Sequence, residues 1–314
     1  MQGYNAYQQR LIDSWGCHCP TYVYDKNRGK TSLFSRPFSF ILETTNPVID
    51  YSLTEAEKRA FSIMYSGLPQ VLFKSIVELD SLLELRSRFC ADDSDALGES
   101  VRSTFKRQKR ADTKGRMFTE RSERMLDKIE TPLPNALWNR LLSIDDSFMD
   151  DEQMRLDFFI RIMRHIWASP SKQCVLDAFL DQFCLDQSKS IVRERMLPYF
   201  VYHQTVIHSI TMSASPQYRL AFLRIPQGAK YRFIVTDNPA IDLGDEQFHL
   251  GVADNGCFLW VLSPMLAVML GGKKRAKTRF VTEDEVTIFN RQLFKKATRY
   301  IMLDKDNDIL SACC

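Results

Sequence analysis

Three absences narrow the reading of this chain. No apolar run is long enough to cross a bilayer: the most apolar stretch, Cys257 to Leu270, falls short of the ~20 residues a spanning helix needs, and Ser263-Pro264 interrupts it. Neither charge is in excess: a net charge of +3 makes no global case for nucleic acid, so any such case rests on local patches. The short enzyme signatures are also missing, with no dinucleotide-binding glycine pattern, phosphate loop, HExxH, kinase set, zinc-deaminase motif or nucleophile elbow. Their absence removes the simple assignments and leaves catalysis open. The opening MQGYNAYQQRLIDSW is polar and has no apolar stretch before a cleavage site, so the expected location is cytoplasmic, with no membrane partner.

Cysteine is present without a framework. Of the eight, Cys90, Cys174, Cys184 and Cys257 stand singly in or beside apolar runs, which suits reduced, buried thiols. Cys17-His18-Cys19 is the one cluster with metal-binding residue types, but no second ligand pair follows at zinc spacing, so no metal site is expected there. Cys313 and Cys314 read as the end of a tail.

What is present points to an α+β fold: mostly helical, with a small antiparallel or mixed sheet in the C-terminal third and an N-terminal hairpin. The expectation is one domain over 1–314, with the hairpin at 20–35, a helical part at 52–213 and a β-rich part with a final helix at 217–304. Thr21–Tyr24 and Lys30–Phe34 are rich in β-formers around the turn residues Asp25–Gly29. Thr54 with Glu57, and Thr282 with Glu285, have the spacing of capping boxes. Phe158, Phe159, Ile162, Met163, Ile166 and Trp167 place one apolar side on a helix from about Asp150 to Trp167. Further on, Tyr218–Ile225 and Tyr231–Val235 read as two strands joined by Pro226–Ala229, Phe258–Leu262 as a third, and Tyr300–Leu303 as a last. Ser263-Pro264 reads as the start of a buried helix, with Ser263 as its N-cap.

Thr236-Asp237-Asn238-Pro239 is the most informative short segment. It follows an apolar strand end, where a carboxylate and an amide can be held rigidly and still meet solvent. Asp-Asn-Pro is equally strong turn chemistry. Asp237, Asn238, Arg164 and His165 are the candidate catalytic residues: Asp237 suits a divalent metal or a base role, Asn238 could orient a substrate, and Arg164 and His165, with Arg161 as a substrate contact, could place cations near a phosphate or carboxylate or else form a solvated helix flank. Thr236, Ser263 and Asn290 are candidate substrate contacts. Lys106, Arg107, Lys109 and Arg110 lie in one basic stretch, and Lys273, Lys274 and Arg275 in another; either could track a phosphate backbone, or be a solvated face balanced by nearby acids. His203 and His208, five apart, fall on different sides of a helix and make poor joint metal ligands.

Several of these segments, taken in order, resemble a bacterial family known only as domain of unknown function 4238. Phe233-Ile-Val-Thr-Asp-Asn-Pro239 is similar to its strand followed by Ser/Thr-Asp-Asn-Pro. Val261-Leu-Ser-Pro264 is similar to its Pro-Leu-Ser-Pro, Asn290 to its helix asparagine, and Ala297–Ile301 to its closing Ala-x-x-Tyr/Phe-Ile/Val. Val23–Lys30 looks like its opening hairpin, and Arg164 like the arginine of its Gln-x-x-Arg helix, with Arg161 at the glutamine position. The family's initial His-Tyr-Val-Pro has no counterpart here. The resemblance implies an α+β fold and a bacterial or phage setting, and supplies no reaction.

Two classes of function follow as expectations. One is a defence or toxin-type effector acting on nucleic acid or nucleotides, hydrolase or nuclease-like if catalytic. The other is a non-catalytic module that binds a protein partner or senses a ligand.

Overall fold

Residues 21–25 and 30–34 alternate β-formers around a turn that ends in Gly29 at φ 60, the left-handed conformation glycine adopts without a Cβ penalty. They form strands β1 (Thr21–Asp25) and β2 (Lys30–Phe34), the hairpin expected from sequence. The structure is a computed structural model that describes residues 21–34, 53–91, 125–129, 133–182, 188–214, 218, 220–236, 238, 240–243, 258–270, 278–297 and 299–303.

The fold is α+β, and its described residues divide into two compact units. The larger comprises Met1–Asn46, Thr131–Lys172 and His208–Cys314; the smaller comprises Pro47–Glu130 and Gln173–Ile207. Among the described residues the α-helices are α1 (Glu55–Met64), α2 (Gln70–Ala91), α3 (Asn135–Leu142), α4 (Glu152–Trp167), α5 (Pro170–Leu180), α6 (Lys189–Ser213) and α7 (Glu283–Lys296). Both expected capping boxes are formed, Thr54 with Glu57 on α1 and Thr282 with Glu285 on α7. Among the described residues no helix is long and apolar enough to cross a membrane.

The larger unit contains two sheets. One has the order β2-β1-β9-β4, where β4 is Val235–Thr236 and β9 is Tyr300–Leu303, and every pairing in it is antiparallel. The N-terminal hairpin therefore does not stand alone: β1 pairs with the last strand, and Lys26 Nζ donates to the carbonyls of Phe294 (3.0 Å) and Ala297 (2.8 Å) at the end of α7. The other sheet has the order β5-β6-β7-β3-β8: β5 Ala240–Asp242, β6 Phe258–Ser263, β7 Leu266–Leu270, β3 Leu220–Arg224 and β8 Arg279–Phe280. It is mixed, since β3 and β8 run parallel. Trp260, Phe158, Phe148, Phe233 and Phe289 are fully buried in one core that spans both sheets, α4 and α7.

Three expectations are corrected here. Leu266–Leu270 is a strand, not a helix. Pro264 and Met265 turn the β6–β7 hairpin, and Ser263 Oγ accepts from Met265 N (3.3 Å) within that turn instead of capping a helix. Five consecutive apolar residues carry no period, so a buried strand and a buried helix look alike in sequence. Tyr231–Ile234 is not in a strand; of the expected Tyr231–Val235 strand only Val235 is, in β4 with Thr236, and the partner of β4 is β9. Phe233 N donates to Pro264 O (3.0 Å) and Ile234 N to Asn290 Oδ1 (3.0 Å), so turn and side-chain acceptors replace a ladder. Cys174 is also exposed, not buried as expected.

In the smaller unit, α1 and α6 bury Phe61, Tyr65, Tyr199 and Phe200. His203 is fully buried among Phe61, Tyr65 and Tyr199, and its Nε2 bonds to the Asp80 carboxylate. Glu57 is 1 % exposed and pairs with Arg195 of α6.

Candidate functional site

Helix α4 begins at Asp151, whose carboxylate accepts from Met154 N (2.8 Å), and its apolar stripe anchors it in the core of the larger unit. Arg161, Arg164 and His165 follow from that register. Residues three and four apart are neighbours on a helix surface, so the stripe fixes these three as one group at its flank. Arg161 is buried, and Arg164 and His165 are half-buried. Burial, then the charges of Arg164 and Arg161, lowers the His165 pKa to about 3.

An imidazole so held is neutral at pH 7, an acceptor and donor of hydrogen bonds but a weak base. The linkage to stability has a definite sign. With a folded pKa near 3 against an ordinary 6.5, the unfolded chain binds the extra proton between those values. Stability from keeping His165 neutral is therefore complete above pH 6.5 and declines as pH falls toward 3. His165→Gln, which stays neutral, should flatten the melting temperature between pH 6.5 and 4.5 relative to the parent; an unchanged slope would show that His165 titrates normally.

The Thr236–Ala240 segment leaves the first sheet at β4 and enters the second at β5. Thr236 Oγ1 donates to Asn238 O (2.6 Å) and accepts from Asn238 N (3.2 Å), which tightens the crossing. With its amide nitrogen turned toward them, the buried Asn238 side chain donates to Ala240 O (3.2 Å) and to His165 O (3.1 Å). The last carbonyls of a helix have no partner within it. Asn238 thus caps the end of α4 and joins the crossing segment to the residue that follows Arg164.

The structure ties Asn238, and through it Thr236, to the main-chain oxygen of His165, whose ring feels the charges of Arg164 and Arg161 on the same helix. The side chains of Thr236 and Asn238 serve main chain, as do those of two further candidates. Ser263 closes the hairpin turn. Asn290, 0 % exposed on α7, accepts from Ile234 N (3.0 Å) and donates through Nδ2 to Arg232 O (2.7 Å). Asp237, Lys106, Arg107, Lys109, Arg110, Lys273, Lys274 and Arg275 lie outside the described residues, as do Cys17, His18 and Cys19. Among the described residues, no group of three or more His, Cys, Asp or Glu could hold a metal ion.

Sequence reading missed the groups next to this neighbourhood. His165 faces Trp260, with ring centroids 6.4 Å apart. Lys172 on α5 pairs with Asp242 on β5 at 2.6 Å, and Trp167 lies 4.8 Å from the His208 ring. No motif marks them, because a pairing across 70 residues leaves no local signal. No family model, curated protein or solved structure matches the chain.

Proposed function

We propose that the larger unit binds a phosphate-bearing ligand, a nucleotide or nucleic acid, at Arg161, Arg164 and His165, and that His165 takes part as a neutral hydrogen-bonding group and not as a proton shuttle. The observation that carries this reading is the clustering of Arg164 and His165 in the last turn of α4 with Arg161 one turn before them, where the sheet-crossing segment is tied to His165 O. Guanidinium groups match phosphate oxygens with two parallel donors, and the half-buried position of Arg164 strengthens that contact over one in open water. The pairing of Thr236, Asn238, Ser263 and Asn290 with main chain supports a binding role over a converging set of catalytic side chains.

Calorimetric titration with inorganic tripolyphosphate and with nucleoside triphosphates tests it. A charge-assisted hydrogen bond is worth about 1.5–3 kcal/mol, so Arg164→Ala should weaken binding about 10- to 100-fold, measured at a temperature where the variant is folded. Equal affinity of parent and variant, or no binding of any phosphate species at millimolar concentration, overturns the reading. Turnover of the ligand that Asp237→Ala abolishes would replace it with a catalytic one.

A further inference from the structure

The apolar stripe of α4 leaves one residue partly uncovered. Phe158, Phe159, Ile162, Met163 and Ile166 are buried, whereas Trp167, which closes the stripe, is half-buried. Its indole stands 4.8 Å from the half-buried His208 ring at an interplanar angle of 41°. Lys172 Nζ lies 5.7 Å from the indole centroid, and Asp242 holds that ammonium at 2.6 Å. Trp167 is therefore already oriented by neighbours on two other elements, so little side-chain entropy remains to be lost on binding.

Trp167 is three residues beyond Arg164, adjacent on the helix surface and about 4.5 Å further along its axis. We propose that Trp167 and His208 receive the base of a nucleotide whose phosphates lie against Arg161 and Arg164. The proposal rests on the phosphate-binding reading above. Aromatic rings take a base by stacking, whatever its identity, and the Lys172–Asp242 pair, partly exposed, borders the rings. One ring pair serves one base, which favours a mononucleotide over a strand.

The test compares adenosine triphosphate with inorganic tripolyphosphate, which has the phosphates and no base. The parent should bind the nucleotide about tenfold more tightly. Trp167→Leu should erase that preference and leave tripolyphosphate binding unchanged, while Trp167→Phe, which keeps a ring and its packing, should retain most of it. Tripolyphosphate bound as tightly as the nucleotide overturns this proposal and leaves the phosphate reading standing. Equal loss of both ligands in Trp167→Leu reduces Trp167 to a structural role and also overturns it. Failure of the parent to bind either ligand removes both readings together.

Discussion

Replacing Asn290 by alanine is expected to lower the stability of the larger unit by about 3–5 kcal/mol, because two buried main-chain groups lose their partners at once. The Asn290 side chain is 0 % exposed, accepts from Ile234 N and donates to Arg232 O. Residues 231–234 are in no strand, so this amide, with the Phe233 N bond to Pro264 O, replaces the ladder that would otherwise hold the chain as it enters β4. Each unsatisfied buried group costs about 1–3 kcal/mol, and the melting temperature should fall by on the order of 10 °C. Asn290→Asp gives a sharper diagnosis. Its carboxylate would accept from Ile234 N but would face the Arg232 carbonyl, and only the protonated acid can donate there. Its deficit relative to the parent should therefore be smaller at pH 4.5 than at pH 7.5. A ligand-binding role predicts the opposite for Asn290→Ala: normal melting and lost binding.

That amide also shows how far the sequence could be read. Val286, Phe289, Asn290 and Leu293 have the i, i+3, i+4, i+7 spacing of a buried face, and all four are buried. A polar residue inside such a stripe is a signal in itself, since burial without a partner is costly. Its partners, 56 and 58 residues away, are not legible. The same division holds elsewhere. The hairpin turn Asp25–Gly29 and the capping boxes at Thr54 and Thr282 are local chemistry and were legible. The pairing of β1 with β9 closes a loop of most of the chain and left no mark. Ser263-Pro264 is favourable at a helix start and in a tight turn alike, so tertiary pairing decided between them. Of the candidate site, the grouping of Arg161, Arg164 and His165 followed from helical period. The cap that Asn238 places on His165 O, which gives that grouping its position, did not.

Arg195→Ala should cost the smaller unit about 3–5 kcal/mol, a scale set by the desolvated carboxylate that remains and not by the ion pair itself. Glu57 is 1 % exposed and divides its two oxygens: Oε2 accepts from Thr54 N (2.8 Å) in the capping box of α1, and Oε1 accepts from Arg195 Nε (2.9 Å) and Nη2 (2.5 Å). Truncating Arg195 leaves the cap intact but strips Oε1 of both donors in a place where water cannot replace them. Glu57→Leu with Arg195→Met removes both charges and keeps apolar volume, so it should recover most of the loss, less about 1 kcal/mol for the missing cap. Hydrogen exchange at the amides of α1 and α6 is the appropriate measurement, because a chain with two units need not unfold in one step. Protection should drop there in the single variant and return in the double one. If the double variant is no more stable than the single, the pair contributes attraction beyond relief of a buried charge, and Glu57 and Arg195 stabilise the unit as an ion pair in their own right.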